Sequence, residues 1–100
     1  MKLSVLERIL LVSILPVEGN FTNLKSLRVA REAISFNEKE HKLLNFRTEN
    51  DQTTWDDTVE PKDITIGEIV TEIIKKELKE LNDNSKLKDE QFTIYEKFVG

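Results

Sequence analysis

The sequence predicts a mainly helical α+β domain, with four to five helices packed around one core and a small β-hairpin inserted near residues 45–57. Three observations predict it. Apolar residues recur at helical spacing in four separate stretches, residues that cap or break helices sit at the junctions between them, and the stretch 45–57 alone reads as strand, polar turn, strand. With 100 residues, 38% apolar and 34% charged, residues 1–100 suit a single globular domain and lie far from the signature of a disordered chain.

In the first stretch Leu3, Leu6, Ile9/Leu10 and Ile14 keep helical spacing, while Val5, Leu11, Val12 and Leu15 widen the stripe. Ser4, Glu7 and Arg8 form its one narrow polar strip, so this helix is expected at the centre of the core. Pro16 ends it, because the residue before proline is pushed out of the helical region. A second helix is expected after Thr22 or Asn23, either of which can cap it. It carries Leu24, Leu27 and Ile34 inward and Lys25, Arg28 and Glu32 outward. Asn37 with Glu40 three residues on forms a capping box for a short third helix over about Glu38–Leu44. After the hairpin, Thr65 and Glu68 read as a second capping box with an Ile64–Ile69 staple. Ile66, Ile69/Val70, Ile73/Ile74, Leu78 and Leu81 then run for about four turns, with Glu72–Lys76 as a helical ion pair on the wet face. Asn82-Asp83-Asn84-Ser85 stops this helix, and a last one starts near Asp89 with Phe92, Tyr95, Phe98 and Val99 on one face. The expected core combines Leu6, Ile9, Leu10, Ile14, Leu24, Leu27, Ile34, Ile69, Ile73 and Leu81, closed by Phe92 and Phe98.

The composition restricts the chemistry. One histidine, His41, no cysteine and three scattered glycines leave few groups that titrate near neutrality, no thiolate, and no glycine cluster to cradle a phosphate. No cofactor and no metal are expected. Glu38-x-x-His41 has the spacing of a carboxylate-bridged di-iron motif, but that site needs a second histidine, so a solvated helix face is the plainer reading. No run approaches the ~20 apolar residues of a membrane span. Glu7-Arg8 interrupts the apolar amino-terminal stretch and no small-x-small cleavage site follows, so a cytoplasmic protein is expected.

Charge is uneven. Residues 1–47 carry a local +3 and residues 48–100 a local −7, within a net charge of −4. Lys25, Arg28 and Arg31 cluster on the second helix, and with the short helix and hairpin after it they trace the outline of a winged helix-turn-helix. Glu38 and Glu40 on the would-be reading helix, and Glu49 and Asp51 on the would-be wing, repel phosphate and argue against nucleic acid. Asp51, Asp56 and Asp57 flank Trp55, together with Glu60 and Asp63. This segment reads either as an aromatic anchor in an acidic patch that binds a protein partner, or as a core tryptophan under a solvated loop. Oppositely charged halves also allow a homodimer.

Leu6-Glu7-Arg8-Ile9-Leu10-Leu11 with Ile14-Leu15-Pro16, Glu18-Gly19-Asn20-Phe21, Ile66-Gly67-Glu68 with Ile73-Ile74, and Tyr95-Glu96-Lys97-Phe98-Val99 together resemble small uncharacterised proteins of tailed phages and prophages of Gram-positive bacteria. The resemblance implies a phage-infected bacterial cytoplasm as the setting and assigns no catalytic residue. The expected function is a non-enzymatic protein-binding module, a phage accessory protein acting on a host or phage protein. A winged-helix-like DNA-binding protein and a small carboxylate-based enzyme are the alternatives.

Overall fold

The computed structural model describes residues 1–56 and 59–100. Strand β1 (Lys2–Leu3) leads into helix α1 (Val5–Ile14), followed by α2 (Phe21–Ile34) and α3 (Glu38–Leu44). A hairpin of β2 (Arg47–Glu49) and β3 (Gln52–Thr54) comes next, then β4 (Lys62–Asp63), α4 (Glu68–Asp83), a 3₁₀ turn (Asp89–Gln91) and α5 (Phe92–Phe98). The expected α+β, mainly α fold is therefore observed.

The third helix and the hairpin match their sequence signals. The Asn37 side chain accepts from the Glu40 N–H at 2.8 Å and Glu40 accepts from the Asn37 N–H at 3.1 Å, closing the expected capping box. In the hairpin Arg47 pairs with Thr54, Thr48 with Thr53 and Glu49 with Gln52, leaving a two-residue loop. Asn50 and Asp51 fill it at φ 50° and 64°, the left-handed conformation such loops require and these residues tolerate.

Helix starts differ from expectation where distant contacts intervene. The first helix begins at Val5, because Ser4 and Glu7 form a capping box and Lys2–Leu3 pair antiparallel with Lys62–Asp63. Two-residue strands leave no alternation for a sequence to show. The second begins two residues early, with the Asn20 side chain, and not Thr22 or Asn23, accepting from the Asn23 N–H at 2.8 Å. For α4, the Thr65 cap does not form. The Ile64 N–H donates to the Met1 carbonyl at 2.9 Å beside the β1–β4 pairing, which keeps this segment extended, and Gly67 becomes an N-cap without a side-chain bond. The Ile64–Ile69 staple fails with it, since Ile64 is buried and Ile69 is 46% exposed. Glu72 pairs with Lys75 at 3.6 Å in place of Lys76.

One apolar cluster joins β1, α1, α2, α4 and α5 through Leu3, Leu10, Leu11, Leu27, Ile34, Val70, Ile74, Leu78, Ile94 and Phe98. Leu10, Leu27, Ile34 and Phe98 were expected there, and Ile14, Leu24, Ile73 and Leu81 pack at its edge. Leu6, Ile69 and Phe92 are corrected to exposed positions. In α4 the buried row is Val70–Ile74–Leu78, one residue on from the row through Ile69 and Ile73. The chain enters α5 through a 3₁₀ turn, which sets Ile94 and Phe98 inward and leaves Phe92 outside. Among the described residues no helix is long and apolar enough to cross a membrane.

Candidate functional site

The polar strip of α1 faces inward, contrary to a simple amphipathic reading. Arg8 is 1% exposed. Its guanidinium donates to Glu40 on α3 at 2.5 and 3.2 Å, to the Ile34 carbonyl at 2.9 Å and to the Ser35 carbonyl at 2.7 Å, and it lies 4.1 Å over the Phe36 ring. Arg8 thus ties α3 and the end of α2 to the central helix. Glu7, also buried, accepts from Lys97 of α5 at 2.7 Å, while its Oε2 has no hydrogen-bond partner among the described residues.

Both carboxyls are held below the ordinary glutamate value of 4.5. For Glu40 the Arg8 hydrogen bonds are the main cause, working against burial. For Glu7 burial opposes ionisation most strongly, and the Lys97 ammonium with the Ser4 N–H leads the interactions that outweigh it. A carboxyl whose folded value is depressed contributes stability above its unfolded value, and that contribution is lost as pH falls through the folded value. The urea midpoint is therefore expected to drop on acidification below about 4.5. In Glu40→Gln the midpoint at neutral pH is lower and the acid limb shallower; an acid limb of unchanged slope would show that Glu40 does not contribute to it.

Phe36, fixed by Arg8, begins an aromatic chain. Its ring meets His41 at 6.1 Å and Phe46 at 5.4 Å; His41 meets Phe46 at 5.6 Å, and Phe46 meets Trp55 at 6.1 Å, all edge to face. Phe46 immediately precedes β2 and Trp55 immediately follows β3, so the chain forms the base of the hairpin. A shallow hollow of about 310 Å³ opens beside it, lined by Ile9, Val12, Ser35, Phe36 and His41. All six strand residues of the hairpin are exposed. The hairpin is a two-stranded ribbon exposed at every strand residue on both faces.

Trp55 is half-buried, between the two readings its sequence context allowed. Asp56 lies next to it and accepts from Arg47 across the ribbon base at 2.9 Å. Asp51 sits at the tip, about 13 Å along the strand from Trp55, so the structure separates it from the other two. Asp57 lies outside the described residues. The basic cluster is also divided. Arg31 donates to the Pro16 carbonyl at 2.6 Å and is half-buried, whereas Arg28 is exposed and Lys25 lines a different groove, between α2 and the start of α4. Among the described residues no group of three or more histidines and carboxylates is placed to hold a metal ion.

Sequence reasoning joined Trp55 to its acidic neighbours but missed Phe46 as its ring partner, and missed the hollow of Ile9, Val12, Ser35, Phe36 and His41 beside the aromatic chain. It also missed the roles of Glu7 and Arg8. The signal was there: in a helix apolar on most of its circumference, a charged pair goes inside and needs partners from elsewhere. No family model matches the chain, and no curated protein and no solved structure is significantly similar to it.

Proposed function

We propose that this protein is a non-enzymatic protein-binding module that engages its partner through the β2–β3 ribbon and the aromatic hollow at its base. The observation that carries this reading is the ribbon itself, exposed at every strand residue yet rooted in Phe46 and Trp55. A lone two-stranded hairpin is marginally stable in water, and its free edges offer backbone groups for strand addition by a partner. The adjacent hollow supplies apolar contact, and half-buried Trp55 is the residue type that most often anchors such contacts. Glu49 and Asp51 at the tip favour a basic partner surface and disfavour a phosphate backbone. Glu7 and Glu40, each engaged by a cation and with its pKa held below the ordinary glutamate value, suit support of the scaffold better than proton transfer near neutrality. We further propose, from the sequence resemblance alone, that the setting is the cytoplasm of a bacterium carrying a tailed phage, and that the partner is a host or phage protein.

The test is a capture experiment from phage-infected Gram-positive cells with the tagged full chain and a variant lacking residues 47–54, Phe46 and Trp55 being joined by Asn-Gly. The variant is expected to melt cooperatively and to lose the partner that the intact chain retains. Trp55→Ala should weaken that partner by more than about 1 kcal/mol, and should also lower stability by about 1 kcal/mol through the lost edge-to-face contact with Phe46. Equal capture without the ribbon would overturn the proposal, as would capture of no protein together with binding of duplex DNA or a small molecule.

A further inference from the structure

We infer that the groove between α2 and the start of α4, on a surface separate from the ribbon, is the contact through which two copies of this chain form a two-fold dimer. The groove has a volume of about 480 Å³ and runs along α2 from Lys25 to Ala33, about 12 Å of helix. Val29 on one wall and Ile69 on the other are 64% and 46% exposed, an apolar pair facing water. Between them the α2 wall is built of small side chains, which lets another backbone approach closely.

Charge selects the occupant. Lys25 and Glu68 line opposite walls of the same groove, and neither has an ion-pair partner among the described residues. One free cation and one free anion on a single surface are matched by the same surface turned about a two-fold axis. Lys25 of each copy then meets Glu68 of the other, and Val29 of each enters the other's groove, as an isologous interface demands. A strongly basic or strongly acidic partner would satisfy one of these charges and oppose the other. The chain carries net charge −4, so two copies repel in general, and a locally neutral apolar groove is where that repulsion is least.

The test is sedimentation velocity of the full chain from about 1 µM to about 1 mM, a span that includes weak dimers. The 11.7 kDa monomer is expected to give way to a species of twice that mass as concentration rises. Lys25→Glu and Glu68→Lys each place like charges opposite one another twice per dimer and should weaken it by about tenfold or more. The double reversal, and an equimolar mixture of the two single variants, should restore it. Val29→Arg, which leaves both charges in place, should abolish it, with circular dichroism confirming the fold of each variant. A monomer across the whole range overturns the inference. So does a dimer indifferent to these changes, and so does weakening that neither the double variant nor the mixture reverses. None of these outcomes touches the ribbon, whose capture experiment stands independently.

Discussion

Arg8→Met is expected to destabilise the protein by about 3–5 kcal/mol, the cost of leaving a buried charge without its partner. The change strands the Glu40 carboxylate and deprives the Ile34 and Ser35 carbonyls of their guanidinium donors. Against a typical total of about 5–15 kcal/mol this removes much of the folding free energy. Arg8→Lys should rescue little, since a single ammonium cannot reproduce a planar fork that meets three groups on two segments. The double change Arg8→Met with Glu40→Met is the informative control. Buried ion pairs replaced by apolar residues of similar volume are often neutral or better, so urea melts should place the double variant well above Arg8→Met. A double variant as unstable as the single one would mean that Arg8 acts through Phe36 and the backbone carbonyls, and not through Glu40.

The second large effect separates two adjacent isoleucines. Ile74 is fully buried in the central cluster, and Ile74→Ala should cost about 2–5 kcal/mol by denaturant melt. Ile73, at the edge of that cluster, should cost about half as much or less, because part of its cavity opens to water. A larger loss at Ile73 than at Ile74 would place α4 one residue out of phase with the described packing.

These examples show which parts of the fold local sequence determines. The Asn37–Glu40 box and the Asn50-Asp51 loop act within a few residues, so their elements lie where the sequence puts them. Thr65 and Glu68 have the same local grammar and fail, because Lys62–Asp63 are recruited by Lys2–Leu3 from the far end of the chain. Apolar periodicity identified α4 but not its phase, since Ile69/Val70 and Ile73/Ile74 offer two parallel rows one residue apart. The site was half legible for a similar reason. Chain adjacency sets Asp56 beside Trp55 and hairpin register sets Asp51 at the tip, whereas Phe36 and His41 meet Phe46 at the ribbon base through tertiary packing in which Arg8 holds Phe36 and α3 against α1.

The two capping glutamates have a consequence for cooperativity. In most helices the first turn is the first to fray, since it depends on a side chain only three residues away. Here Glu7 and Glu40 cap their own helices and are themselves held from a distance, Glu7 by Lys97 and Glu40 by Arg8. The amino-terminal turns of α1 and α3 therefore cannot loosen alone without also breaking contacts that bridge 90 and 32 residues of chain. Their amides should exchange with solvent through events close to global unfolding, so that the ends of these two short helices report on the integrity of the whole molecule.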